Sequence, residues 1–290
     1  MCRLFGMSGG PVPVHATFWL LEAPDSLSDQ SHREPDGTGL GYFDTDGHPV
    51  VSKQATAAYE DRDFAREANE VTSSTFVAHV RYASTGALTE RNTHPFEQDG
   101  RLFAHNGVIE GLDRLEAELG DAMSLVHGET DSERFFALIT REARRTGDVG
   151  DAITAAARWV AENLPLFAIN LVLISARELW ALRYPDSHDL LVLERDAGGA
   201  DGAHHLEHSS PRGRIRVHSG DLAGQPAVVV ATEKMDDDPG WSPLASGELL
   251  HVDPDLRVTR TRVLDTPPAH PLTLADLGDS AAASQSPQTR

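Results

Sequence analysis

An α+β fold with helices packed on stacked sheets is predicted for this chain by three observations. Short strand-like segments outnumber helical ones, the two segments with clear 3.6-residue periodicity fall together between two blocks of strands, and no regular strand–helix alternation runs along the chain. Strands are expected at about Arg3–Ser8, Leu40–Asp44, Thr75–Arg81, Arg101–His105, Phe167–Ile174, Leu179–Arg183, Leu190–Glu194, Ala227–Ala231, Glu248–Val252 and Arg257–Leu264. Each is a short run of β-branched or alternating apolar residues bounded by turn formers. The helical pair is expected at Asp131–Arg145 and Ala152–Asn163, with weaker periodicity at His15–Leu21, Arg62–Glu70 and Leu112–Leu119. Pro24–Gly41 reads as a long loop, Ala197–Gly213 as a mobile insertion, and the Pro-, Ala-, Ser- and Gln-rich stretch from Pro267 as a frayed tail.

Composition narrows the function classes. At 290 residues and 40% hydrophobic content, the chain can bury a sizeable core. Its formal charge of −20 argues against nucleic acid or an anionic membrane surface as the main partner. One cysteine leaves no intramolecular disulfide, and neither a signal peptide nor a bilayer-spanning apolar run is evident, so the cytoplasm is the expected compartment.

That cysteine is Cys2, directly after the initiator methionine. Methionine removal would leave a thiol and a free α-amine on one α-carbon. Their ordinary pKa values, about 8.5 and about 7.7–8.0, lie close enough to neutrality for the fold to make the pair reactive. The competing reading is a small buried hydrophobe.

Four further segments carry candidate chemistry beside a structural alternative. Arg81 ends a strand, where a guanidinium suits either a bidentate grip on a substrate carboxylate or an ordinary surface ion pair. His94 precedes a proline in an extended segment, able to donate to a substrate or to stabilise its loop. Asn106-Gly107 is either a hairpin turn or an oxyanion hole made by a side-chain amide and a backbone N–H. Thr130 and Glu133 form a capping box that opens the long helix, with Asp131 in its first turn. An ionised carboxylate there serves the helix dipole and could equally bind an ammonium group. The glycines of Asp36-Gly37-Thr38-Gly39-Leu40-Gly41 lack the strand–helix context of a phosphate loop, and His204, His205 and His208 could in principle ligate a metal but lie in the insertion without nearby cysteines or a rigid element, so a solvated loop is expected there.

Taken in order, Met1-Cys2, Asp36-Gly37-x-Gly, His79-Val80-Arg81, Asn92-Thr93-His94-Pro95-Phe96, His105-Asn106-Gly107 and Gly128-Glu129-Thr130-Asp131-Ser132-Glu133 resemble the class II glutamine amidotransferases, which release ammonia from glutamine. The resemblance implies a four-layer αββα sandwich of the N-terminal-nucleophile hydrolase type over residues 1–266, with a disordered tail at 267–290. It also implies Cys2 as nucleophile with its own α-amine as base, Asn106 and Gly107 as the oxyanion hole, and Arg81, Ser84, His94 and Asp131 as substrate-binding groups. Neither a metal nor an organic cofactor is implied. Where comparable stand-alone members carry tryptophan between the two glycines, this chain has Thr38, expected to alter a wall of the pocket. The second half reads as strands of the same sandwich, with no room for a synthase unit. Three functions are thus expected candidates: a γ-glutamyl amide hydrolase acting on glutamine or another γ-glutamyl small molecule, a glutaminase subunit feeding a separate synthase partner, and a non-catalytic regulatory subunit.

Overall fold

A computed structural model of the chain describes residues 2–33, 36–82, 87–197, 207–209, 216–218 and 224–286. Two large sheets form its centre. The first runs in the order β15 (Ser242–Pro243), β11 (Leu191–Arg195), β14 (Ala227–Ala231), β1 (Arg3–Ser8), β6 (Thr75–Arg81), β3 (Gly37–Phe43) and β4 (Pro49–Gln54). The second runs β17 (Val258–Arg262), β16 (Glu248–Val252), β10 (Leu179–Arg183), β9 (Pro165–Ile174), β8 (Arg101–Ile109) and β7 (Phe96–Gln98), with β18 (His270–Pro271) pairing parallel to β9. Two small pairs complete the strands: β2 (Val14–His15) with β5 (Thr72–Ser73), and β12 (Glu207–Ser209) with β13 (Arg216–His218).

The period-2 alternation of side chains sorts each sheet into an inner and an outer face. Leu4, Val77, Val192, Val228 and Val230 of the first sheet meet Leu102, Ala104, Val172, Ala181 and Leu250 of the second in one buried cluster between the sheets. On the outer face of the first sheet, Phe5, Met7, Leu40, Phe76 and Val229 pack against Phe18, Trp19 and Leu20 of a short wide helical turn, Phe18–Glu22, and against Phe64 of α2 (Arg62–Glu70). A one-turn helix, α1 (Leu27–Gln30), adds Leu27 to that layer. On the outer face of the second sheet, Phe103, Ile169, Leu171 and Leu173 pack against α3 (Leu112–Leu119), α4 (Asp131–Thr146) and α5 (Val149–Asn163). The layers are therefore helix, sheet, sheet, helix, as expected. Each phenylalanine buried in them contributes roughly 1.5–3 kcal/mol.

The sheets approach closely because glycines line part of the interface. A Cβ on Gly6 would meet Val172 Cγ1 at 2.6 Å, and one on Gly39 would occupy the His94 carbonyl. Gly37, Gly39 and Gly41 thus form the inner face of β3, over which the Thr93–Pro95 strap lies. Thr38 points the other way. It is buried, and its hydroxyl donates to the Thr56 carbonyl at 2.9 Å, so it forms no part of the pocket wall expected of it.

Several local expectations are corrected. The supposed loop at 24–41 contains α1 and the start of β3, and the helix expected at His15–Leu21 is only the turn Phe18–Glu22. β8 runs through Asn106-Gly107 to Ile109, which removes the hairpin-turn alternative. Residues 267–286 do not fray: β18 joins the second sheet, and a further helix, α6 (Asp279–Gln285), buries Ser284 and Gln285 at its end, while 287–290 lie outside the described residues. Leu277 anchors that segment against Val108, Phe167 and Ala168. Of the insertion expected at 197–213, residues 198–206 and 210–213 lie outside the described residues. Among the described residues, no helix is long and apolar enough to cross a membrane.

Candidate active site

Alternation along the strands delivers the site. Leu4 and Gly6 face inward from β1, so Cys2 does too; Val77 faces inward from β6, as do His79 and Arg81 two and four residues on. The β1–β6 register pairs Leu4 with His79 and Arg3 with Val80, and continuing it by one residue sets Cys2 beside Arg81. From the opposite sheet, Leu102 and Ala104 face inward, and Asn106 follows them. The polar residues lie where the strands run past the apolar filling between the sheets.

Cys2, Arg81, His94, Asn106, Gly107 and Asp131 all line one pocket with about 360 Å³ of empty space, part of it open to solvent. Six of the seven residues expected to serve the site are therefore together. Ser84 lies outside the described residues.

Cys2 Sγ accepts a hydrogen bond from the Tyr82 N–H at 3.2 Å and lies 3.3 Å from the Tyr82 carbonyl oxygen. Asn106 Nδ2 donates to the Cys2 carbonyl at 2.7 Å, while Asn106 Oδ1 lies 2.9 Å from His79 Nε2. An amide oxygen can only accept, so His79 carries its proton on Nε2. Its Nδ1 has no partner among the described residues, and burial pushes its pKa down to about 3. The His94 ring sits 4.3 Å from that of His79, with neither nitrogen hydrogen-bonded among the described residues. Burial, with neighbouring histidines and cations, holds His94 well below the ordinary imidazole range. Both rings are thus neutral near pH 7.

Asp131 is positioned by its helix start. Thr130 Oγ1 accepts from the Glu133 N–H at 3.2 Å, as a capping box requires, but the Glu133 carboxylate reaches further back, to the N–H groups of His127 and Gly128. Asp131 Oδ2 accepts from the Ile109 N–H at 2.9 Å, which ties the first turn of α4 to the end of β8. His105, on the outer face of β8, strengthens that tie through a 2.9 Å bond between its Nδ1 and Ser132 Oγ. Asp131 is buried and forms no ion pair among the described residues, an arrangement suited to receiving an ammonium group.

Arg81 donates to the Ala87 carbonyl at 3.2 Å. Burial lowers its pKa, opposed by the nearby Cys2 and Asp36. Asn92 braces the same loop: its Nδ2 donates to the Ala87 carbonyl and to Glu129 Oε2, and its Oδ1 accepts from the Glu129 N–H. Sequence reasoning quoted Asn92 without a role. It did not find Gln285, which lines the pocket from α6. No local signal marks that residue, since its place depends on a contact with His188, 97 positions earlier.

A family model described as glutamine amidotransferases class-II matches residues 1–270. Glutamine–fructose-6-phosphate aminotransferase (isomerizing) of Idiomarina loihiensis is 31% identical over 154 residues, a match covering 53% of this chain and 25% of that protein. A probable glutamine amidotransferase of Saccharomyces cerevisiae is 30% identical over 159 residues, covering 48% of this chain and 44% of that one. The match thus spans less than half of either relative. Among solved structures, a glutamine aminotransferase class-II domain protein from Silicibacter pomeroyi superposes with a TM-score of 0.59 at 18% identity, covering 90% of this chain and 99% of that one. The glutamine phosphoribosylpyrophosphate amidotransferase of B. subtilis superposes with a TM-score of 0.62 at 20% identity, covering 92% of this chain and 50% of that one. These two likenesses speak for the fold.

Proposed function

Because the chain belongs to the class II glutamine amidotransferases, we propose that it hydrolyses a γ-glutamyl amide, glutamine or a larger γ-glutamyl compound, through a thioester on Cys2. The observation that carries this reading is the convergence of Cys2, Asn106, Gly107, Arg81 and Asp131 on one pocket. After loss of Met1, the α-amine of Cys2 takes the thiol proton and Sγ attacks the γ-carbonyl. The oxyanion is met by Gly107 N–H and by the second Nδ2 hydrogen of Asn106, the first being used on the Cys2 carbonyl. The protonated amine returns its proton to the leaving nitrogen as the C–N bond breaks. Water then attacks the γ-glutamyl thioester, releasing glutamate and restoring the thiol. Arg81 holds the α-carboxylate and Asp131 the α-ammonium, with Ser84 and His94 as neighbouring groups.

Incubating the purified protein with glutamine, glutathione and γ-glutamyl amides, and measuring glutamate beside Cys2→Ala, tests the reading. Cys2-dependent release is expected, from a protein whose intact mass lacks Met1. Activity that survives the substitution removes the mechanism.

A second reading is a glutaminase unit that passes ammonia to a separate synthase. It is favoured by the greater length of the relatives, whose matching parts are a quarter to a half of their chains. It predicts low glutaminase activity alone and a large rise on adding the partner.

A further inference from the structure

We propose that Gln285, carried in by α6, is a specificity-determining residue: it is the wall that sets how large a leaving group can reach Cys2. The proposal builds on the γ-glutamyl hydrolase reading. Every other residue lining the pocket lies between positions 2 and 132; Gln285 comes from the far end of the chain.

Its placement is built, step by step, by the segment before it. β18 pairs with the start of β9, and the Leu272 N–H continues that pairing onto the Leu166 carbonyl at 2.8 Å. Leu277 is then buried against Val108 and Ala168, the first being the chain neighbour of Gly107 and the second the residue whose carbonyl lies against it. α6 delivers Gln285 at 2% exposure, with its Oε1 accepting from His188 Nε2 at 2.9 Å and its Nε2 donating to Ser284 Oγ at 3.1 Å. Burial lowers the His188 pKa, which keeps that ring a neutral partner for a neutral amide. The carboxamide is therefore held at both ends and cannot swing aside without breaking two buried hydrogen bonds. With Arg81 and Asp131 given to the α-substituents, this fixed side chain is a pocket-lining group tied in place by its own hydrogen bonds, and so suited to confine the amide being expelled.

Three proteins test the wall: the full chain, Gln285→Ala and the similarly sized neutral Gln285→Met. For each, kcat/KM is measured on glutamine and on a γ-glutamyl dipeptide. In parallel, Cys2, the sole thiol, is alkylated with iodoacetamide and with a bulky aryl maleimide. Gln285→Ala is expected to shift both large-to-small ratios toward the large reagent by about tenfold or more, the effect of a few methylenes in a pocket. Gln285→Met should stay near the parent. Unchanged ratios in Gln285→Ala, with a thermal transition near the parent's, overturn the proposal; a collapsed transition leaves Gln285→Met to decide, since ratios shifted about tenfold toward the large reagent in that folded, similarly sized variant overturn it equally. If no compound yields glutamate yet the alkylation ratio relaxes in Gln285→Ala, the hydrolase reading fails and the wall stands.

Discussion

Asn106 bonds the carbonyl of Cys2 through Nδ2 at 2.7 Å, and so joins the second sheet to the first at the residue that carries the thiol. The same side chain accepts from His79 at 2.9 Å, so it is fixed from both ends and arrives pre-oriented. Asn106→Ala should lower kcat by about 10²–10³-fold, the usual loss of one oxyanion donor. It should also destabilise the fold by about 1–3 kcal/mol, because a buried His79 N–H loses its acceptor. Steady-state kinetics and urea unfolding separate the two effects. A near-normal kcat in a folded variant would exclude Asn106 from the oxyanion hole.

Gly107 is constrained by a different force. Its φ is +152°, and a Cβ would run into the Ala168 carbonyl of the neighbouring strand. Gly107→Ala is expected to cost at least the roughly 1–3 kcal/mol of backbone strain, with β8 displaced from β9 as well. Activity should fall more than in Asn106→Ala, because the displaced strand carries both proposed oxyanion donors. Comparing kcat/KM for the two variants checks that ranking, and their midpoints of chemical unfolding check the strain.

The neutral histidines make stability depend on pH. His79 has a folded pKa of about 3, against an ordinary value near 6.5 in the unfolded chain. Between those values the unfolded state binds the proton and the folded state does not, so unfolding becomes easier as pH falls through that window. The slope is about 1.4 kcal/mol per pH unit for each such histidine, and the contribution is fully present above about pH 6.5. His94 acts in the same direction. His79→Asn should flatten the loss of stability between pH 6.5 and 4.5 relative to the parent. Parallel curves for the two proteins in urea titrations over that range would show that His79 does not hold this proton-free state.

Legibility followed the range of the forces involved. Arg3–Ser8 and Thr75–Arg81 match their strands in full because alternating burial is written into consecutive residues. Thr130 announced the start of α4 because a cap is a local bond. At Asn106-Gly107 the local signal offered a hairpin beside the other reading: β8 continues through it, since pairing with β9 outweighs turn preference. Thr38 misled. Its orientation is set by β3 pairing between β4 and β6, which turns the glycines, not the threonine, toward the strap carrying His94. α6 has an Ala- and Ser-rich sequence that resembles a solvated tail, and only contacts with Phe167, Ala168 and His188 give it a place. The candidate residues of the two sheets that line the pocket were legible as a set; Gln285, which the C-terminal segment adds to that lining, was not.

The charge pairing proposed for Asp131 can be isolated from its structural duty. Its Oδ2 accepts from the Ile109 N–H, so Asp131→Ala would orphan a buried donor and confuse folding with binding. Asp131→Asn keeps an oxygen for that N–H and removes the charge. With glutamine as substrate, KM should rise roughly 10- to 100-fold, the range for a lost hydrogen bond to a charged group, while kcat changes less. Glutaric acid monoamide, which lacks the α-ammonium, completes a cycle with glutamine across the two proteins. The parent should lose most of its preference for glutamine over this analogue when Asp131 becomes Asn, and the coupling should weaken at high salt only slightly because the carboxylate is buried. An unchanged preference in Asp131→Asn would move the ammonium site elsewhere in the pocket and leave Asp131 as the link between β8 and α4.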